Sequence, residues 1–200
     1  MSKSRLEAFS DGVFAIAVTL LVLQIEIPGA GGDLAHEVGQ LWPSFASYVV
    51  SFFTIGIIWV NHHTIIRRIA QVDRTLLFLN LNLLLWVAFI PWPTALLAQH
   101  LRDTGANEHL AAAIYAGTFL VMGWSFFAVW WHARSAGLLE RDLDPAATQR
   151  LVWRNVTGQL AYGVALGVAW VSATASLVLC GLVALYYMHP GPMLPWEGSR

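Results

Sequence analysis

One carboxylate, Asp11, lies well inside the first long apolar segment of the chain, away from its two ends. A charged side chain at membrane depth costs about 3 kcal/mol or more unless it is paired or hydrated, so such residues usually have a functional or hydrogen-bonding role. Its candidate partners are Arg5, just before this segment, and the cytoplasmic end of the second apolar segment. Asp11 therefore indicates a site near the start of the first segment.

Two adjacent histidines, His62 and His63, end the second apolar segment. Neighbouring side chains on a helix point about 100° apart, whereas histidines that share a metal on a helix are four residues apart. A haem site would need facing histidines at one depth, with His132 as the candidate second ligand, and we do not favour it. We expect one of the two histidines to hydrogen-bond to Asp11 or Ser10.

The first segment also has an aliphatic stripe. At about 100° per residue, Ile16, Leu20 and Leu23 fall within about 60° of one another on a helix. Thr19 lies on the flank of this stripe and Glu26 near its outer end, while Ser10 and Asp11 fall on the opposite face. Because a membrane helix is apolar all round, the periodicity by itself does not decide between pore lining and packing.

The composition gives the setting for these residues. Of 200 residues, 57% are hydrophobic and 12% are charged, against about 25% charged in a typical soluble domain. This composition excludes soluble domains and disorder, and the net charge of −1 gives no basis for nucleic-acid binding. The single cysteine excludes a disulfide framework and a cysteine-based zinc site. The sequence predicts an all-α, multi-pass membrane protein.

Six spans of about 20 residues are predicted. Four of them cover 6–27, 42–63, 75–99 and 109–133, and two more lie within 151–188. As one helix, 151–188 would be nearly 60 Å long, so we place a break near 168–172. A single strongly tilted helix is the alternative, and it would put the C-terminus on the other side.

Ten of the eleven lysines and arginines fall on one side of these spans, and only Arg102 falls on the other. The positive-inside rule then places both termini in the cytoplasm of an inner-membrane protein. The opposite loops are acidic, with Glu26, Asp33, Glu37, Asp103 and Glu108. These acids either concentrate cations at a pore mouth or are what remains where basic residues are absent.

Three motifs give the chain a family resemblance. The first segment reads Arg5-x-x-x-Phe9-Ser10-Asp11, the second has Trp59-Val60-Asn61-His62-His63, and the third has Phe89-Ile90-Pro91-Trp92-Pro93. Together they resemble the prokaryotic transmembrane protein 175 family, small homologues of the lysosomal potassium channel.

The resemblance implies a homotetramer with six helices per subunit and a central pore lined by four copies of the first helix. Rings of Ile16, Leu20 and Leu23 would form a hydrophobic constriction, with Thr19 as a hydroxyl ring. Arg5, Phe9, Ser10, Asp11, Trp59, His62 and His63 would form the network that supports the pore helix, and Glu26 would lie at the outer mouth. The implied ligands are potassium and other monovalent cations, in a lipid bilayer, with no cofactor.

The implied channel domain is 1–188, followed by a flexible proline-rich tail at 189–200. Pro91 and Pro93 should kink the third span. The alternative function is a proton-coupled secondary transporter that uses Asp11 and His62. Transporters often have two related halves, which this sequence lacks, and it has no motif typical of an enzyme.

Overall fold

The structure, a computed structural model, describes residues 2–29, 31–140 and 145–188. Within them the chain forms eight helices, namely α1 (Lys3–Val22), α2 (Leu34–Gln40), α3 (Trp42–Arg67), α4 (Arg74–Phe89), α5 (Pro91–His100), α6 (Ala106–Ser135), α7 (Pro145–Ala169) and α8 (Ala173–Met188). The β-structure in these ranges is one isolated antiparallel bridge between Ile69 and Leu139. The described chain is therefore all-α, as predicted. The predicted tail, 189–200, lies outside the described residues.

The chain is a multi-pass membrane protein. Three segments are long and apolar enough to cross a membrane: α3, α4 together with α5, and α6. α8 is apolar but has only 16 residues, about 24 Å of helix against a hydrocarbon core of about 30 Å. α1 has 20 residues, and its first turns carry Lys3, Arg5, Glu7 and Asp11.

The prediction that the first helix continues to Ile27 is wrong, because α1 ends at Val22. The amides of Leu23, Gln24 and Ile25 bond to carbonyls three residues back, at 3.1–3.2 Å. This tightening of the last turn is how a helix satisfies its terminal carbonyls. Leu23 therefore caps the helix, and Glu26 lies beyond the helix instead of at the outer end of its aliphatic stripe.

The third span is interrupted at Ile90, as the proline pair predicts. Pro91 and Pro93 occupy the first turn of α5, where a missing N–H costs little. α5 is held to its neighbours by buried hydroxyls: the Ser51 oxygen lies 2.8 Å from the Thr94 hydroxyl and 2.9 Å from the Tyr115 hydroxyl. The interruption is therefore a fixed feature of the packing among α3, α5 and α6.

The break predicted near 168–172 is present, since α7 ends at Ala169 and α8 begins at Ala173. His109 Nδ1 donates to the Ala169 carbonyl at 2.8 Å, and the Ser176 hydroxyl donates to the Ala165 carbonyl at 2.8 Å. The first bond satisfies a carbonyl that the break leaves without a helical donor, and the second ties α8 to α7. The short helix α2 was not predicted, although Asp33 accepts from the amides of Ala35 and His36 as an N-cap does.

α6 lies at the centre of the bundle and packs against α4, α5, α7 and α8. Its buried face combines Tyr115 and Phe119 with small side chains such as Ala112 and Ala116, which allow close helix contact. α1 packs on the other side of the bundle, against α3, α4 and α5. This arrangement leaves one face of α1 without a partner among the described residues.

The start of α1, the end of α3, the start of α4 and the end of α6 meet at one end of the bundle, which we call the basic end. Lys3 Nζ donates to the Arg67 carbonyl at 2.8 Å. The Ala70 amide donates to the Leu138 carbonyl at 2.8 Å, and the Glu140 amide donates to the Arg68 carbonyl at 2.9 Å. These bonds tie the segment after α3 to the segment after α6.

Candidate pore helix and its anchoring network

α1 has two faces of different character. Leu6, Phe14, Ala17 and Leu21 are buried against the bundle. Ile16 is 61% exposed and Leu20 is 40% exposed, and Thr19 is exposed between them. Leu23, at the helix end, is 73% exposed. The predicted aliphatic stripe is therefore the face of α1 that the described part of the chain leaves uncovered.

The Thr19 hydroxyl donates to the Ile16 carbonyl at 2.9 Å. A hydroxyl oxygen that donates its proton keeps two lone pairs as acceptors. Thr19 therefore presents an oxygen ligand on the exposed face rather than a donor. The apolar side chains of Ile16 and Leu20 lie on either side of it.

Three buried polar side chains link α1, α3 and α4. The Asn80 amide nitrogen donates to the Ser10 hydroxyl at 3.0 Å, and the Ser10 hydroxyl donates to the Leu6 carbonyl at 2.8 Å. His62 Nε2 lies 2.7 Å from the Asn80 amide oxygen. Because that oxygen can only accept, Nε2 must carry the proton. Ser10 and Asn80 have no exposed area, and His62 is 3% exposed.

Asp11 makes a separate contact with α3. Trp59 Nε1 donates to the Asp11 carboxylate at 2.8 Å, and both side chains are exposed. The expected direct bond from a histidine to Asp11 or Ser10 is not the arrangement found, because His62 reaches Ser10 through Asn80. Arg5 is exposed, and the described residues contain no ion pair between it and Asp11.

The remaining residues of the predicted network are not part of these hydrogen bonds. Phe9 is 51% exposed, on the uncovered face of α1. His63 lies beside Trp59, with ring centroids 6.3 Å apart. The sequence did not lead us to predict a role for Asn80. Its polar amide lies inside the leucine-rich stretch 76–85 and, like the carboxylate of Asp11, indicates a functional or hydrogen-bonding role in an apolar segment.

The acidic residues at the other end of the bundle have local partners. Asp33 caps α2, and Asp103 accepts from His100 Nδ1 at 2.7 Å. Glu108 lies 3.7 Å from His109 Nε2. Glu26 is exposed. Among the described residues no cluster of histidine, cysteine or acidic side chains could hold a metal ion.

Asp73 and His132 connect α4 and α6 at the basic end. Asp73 caps α4 by accepting from the Leu76 amide at 2.7 Å, and it accepts from His132 Nε2 at 2.8 Å. The Leu76 amide and then His132 hold the pKa of the Asp73 carboxyl below its ordinary value of 3.8. A lowered pKa in the folded state means that the ionised form stabilises the fold at neutral pH.

We expect this contribution to be complete well above pH 3.8 and to be lost as pH falls through the lowered pKa of Asp73. Asp73→Asn keeps a capping side chain but removes the titration, so its melting temperature should depend less on pH in the acid range. Asp73→Ala should lower the melting temperature further at neutral pH. Melting curves of the purified variants from pH 3 to pH 7 test this, and equal acid slopes for wild type and Asp73→Asn would contradict it.

Comparison with known proteins gives a consistent picture. Residues 5–91 match the family model described as endosomal/lysosomal potassium channel TMEM175. The chain is 50% identical over 186 residues to a protein named a potassium channel from Streptomyces collinus, with 92% of this chain and 90% of that protein covered. These relatives are ion channels and not enzymes.

A solved structure is also similar. The crystal structure of a lysosomal potassium-selective channel TMEM175 homolog from Chamaesiphon minutus matches with a TM-score of 0.83 at 36% identity, covering 93% of this chain and 96% of that one. A rat protein named endosomal/lysosomal proton channel TMEM175 is 33% identical over 162 residues, with 73% of this chain and 31% of that protein covered.

Proposed function

The chain belongs to the TMEM175 family of potassium channels, and on that premise we propose that it conducts potassium passively through a pore lined by α1. Four copies of the chain form the pore, so that each contributes one α1. The observation that carries this proposal is the uncovered face of α1, which holds Ile16, Thr19 and Leu20 opposite a face that is buried and hydrogen-bonded.

The presence of one α1 per chain supports a closed ring of copies. Each chain has a single α1 and cannot enclose a pore alone, whereas cyclic symmetry brings one surface of every subunit to a common axis. A homotetramer should have a protein mass of about four times 22.1 kDa. The six spans of each subunit are then α1, α3, α4 with α5, α6, α7 and α8.

The constriction is proposed at Ile16, Leu20 and Leu23. Rings of aliphatic side chains at a narrow point exclude water and act as a gate by dewetting. Thr19 adds an oxygen ligand between the Ile16 and Leu20 rings, because its hydroxyl proton is already donated to the Ile16 carbonyl. A small rotation of α1 would move this oxygen toward the axis and wet the constriction.

The basic end is proposed to lie in the cytoplasm of an inner-membrane protein, with both termini on that side. Lys3, Arg67, Arg68, Arg74 and Arg134 belong to this end, while Arg102 lies in the loop between α5 and α6. The positive-inside rule favours this orientation. Glu26 would then lie on the outer side of the pore.

The transporter alternative receives less support from the geometry. A proton relay through Asp11 and His62 needs these groups to be linked, but Asp11 bonds to Trp59 and His62 bonds to Asn80. They belong to two separate hydrogen-bonded groups. The name of the rat relative makes proton permeation a property to be measured in the same experiment.

A planar bilayer recording tests the proposal. The purified protein is placed under opposed potassium and sodium gradients, and then under a proton gradient. We expect discrete currents whose reversal potential moves toward the potassium equilibrium potential. Absence of current, together with proton-coupled uptake in vesicles, would contradict the channel and support the transporter.

A further inference from the structure

A cavity of about 100 Å³ lies among α3, α6, α7 and α8, away from α1. A single water molecule needs roughly 10–15 Å³ of such space, so the cavity admits a larger group. Its polar lining residues include Asn61, Thr64 and Arg154, where α3 approaches its end and α7 begins. Its apolar lining residues include Phe119 and Met122, near the middle of α6. The cavity is thus mostly apolar, and its one charged side chain lies on α7 toward the basic end.

Arg154 is the only charged residue among those that line the cavity. Its guanidinium lies 5.2 Å from the centre of the Tyr187 ring, and Nη2 is 3.5 Å from the Tyr187 carbonyl. Nη1 is buried and has no hydrogen-bond partner in the described part of the chain, and neither does Oε1 of Gln159 beside it. The described residues give Arg154 no ion pair, so its charge is uncompensated within them.

The position of Arg154 is fixed by its surroundings. The Tyr187 hydroxyl donates to the Arg154 carbonyl at 2.5 Å. A Cβ atom at Gly158 would overlap the Tyr187 hydroxyl, and a Cβ atom at Gly123 would overlap the Gln159 amide nitrogen. Glycine at both positions leaves room for these two side chains as they stand.

An arginine with a buried and unpartnered Nη1 favours an anion with planar or tetrahedral oxygens, because its fork of N–H groups bonds to them in pairs. Basic pockets between membrane helices near the membrane surface bind anionic lipid headgroups. Two of the helices that border the cavity, α3 and α6, are long and apolar enough to cross a membrane. A ligand that enters between the helices therefore comes from the bilayer.

We propose that this cavity binds an anionic phospholipid, with the phosphate group on Arg154 and an acyl chain along Phe119 and Met122. The lipid belongs to the leaflet at the basic end. It fills a space bordered by α3, which holds α1 through Trp59 and His62. A lipid bound in the cavity would thus contact α3, which is the helix that positions the candidate pore helix α1.

Native mass spectrometry of the purified full chain tests the proposal. Wild type, Arg154→Gln and Arg134→Gln are equilibrated with vesicles of phosphatidylglycerol, vesicles of phosphatidylcholine, or oleate. Arg134 is exposed, belongs to the same end and does not line the cavity. We expect wild type and Arg134→Gln to retain phosphatidylglycerol about tenfold more than phosphatidylcholine, and Arg154→Gln to lose that preference.

A second variant leaves the charge in place. Ile57→Trp narrows the apolar part of the cavity and should also lower phosphatidylglycerol retention, whether or not Arg154→Gln folds. Equal retention by all variants would overturn the proposal, as would retention of oleate without phosphatidylglycerol. If a neighbouring subunit or another segment fills the cavity, no lipid preference will be measured, and the proposal fails while channel conduction is unaffected.

Discussion

Ile16→Asn should increase the single-channel potassium conductance about three- to tenfold. Ile16 is exposed on the free face of α1, one turn from Leu20 and beside the Thr19 hydroxyl. Replacing an aliphatic ring by amides allows water to remain at the constriction. A barrier lowered by about 0.7–1.4 kcal/mol corresponds to this range of rate. The measurement is the unitary current of the reconstituted protein in symmetrical potassium chloride.

Leu185→Asn is the matched control for this prediction. Leu185 on α8 has the same exposed fraction as Ile16, 61%, and it is not on α1. Both substitutions therefore place an amide on an equally exposed aliphatic position. The constriction is wrongly assigned if the two variants have the same conductance, or if only Leu185→Asn alters it.

Thiol modification is an independent test of whether the same face of α1 lines the pore. Cys180 is the single cysteine of the chain and is fully buried, and burial keeps its thiol protonated and unreactive. In a Leu20→Cys variant, the introduced thiol should therefore react with a charged, membrane-impermeant thiol reagent while Cys180 does not. The reaction should remove most of the current. If the current of Leu20→Cys is unchanged after prolonged exposure to the reagent, this face of α1 does not meet the aqueous pore.

The helical faces could be predicted from the sequence because they follow from periodicity. The positions of Ile16 and Leu20 depend on about 100° per residue, and the break after Ala169 depends on the length of a helix that fits the bilayer. Both depend only on residues that are close together in the sequence. The proline-induced interruption before Pro91 is local for the same reason.

The hydrogen bonds required three-dimensional information. His62 and Asn80 are 18 residues apart, and Asn80 and Ser10 are 70 apart. The sequence identifies each as a polar group in an apolar segment but does not say which groups share a depth. The end of α1 was missed for a different reason: the apolar pattern continues to Ile27, while the carbonyls of Leu20, Leu21 and Val22 accept bonds that close the helix.

Asn80→Ala should destabilise the protein and loosen α1. Asn80 accepts from His62 and donates to Ser10 at a site with no solvent exposure, so its removal leaves buried polar groups without partners. Such losses cost about 1–3 kcal/mol in soluble proteins and about 0.6 kcal/mol on average in membrane helices. We expect a lower melting temperature in detergent and a changed open probability in the bilayer.

Asn82→Ala separates this network from the general effect of losing an amide on α4. Asn82 is exposed two residues further along and donates to the Ser125 hydroxyl at 2.9 Å, so it contacts α6 instead of α1. Its substitution should leave the open probability close to that of wild type. If both alanine variants change gating equally, Asn80 acts through α4 and not through its contact with α1.

A double-mutant cycle of His62→Ala and Asn80→Ala measures the coupling directly. Two residues that share one buried hydrogen bond typically couple by about 0.5–3 kcal/mol, whereas independent positions are additive within about 0.5 kcal/mol. Their 2.7 Å contact therefore predicts that the double variant loses less stability than the two single losses added together. Additive losses would mean that the histidine and the amide stabilise the bundle separately. The link from α3 to α1 would then depend on the hydrogen bond from Trp59 to Asp11.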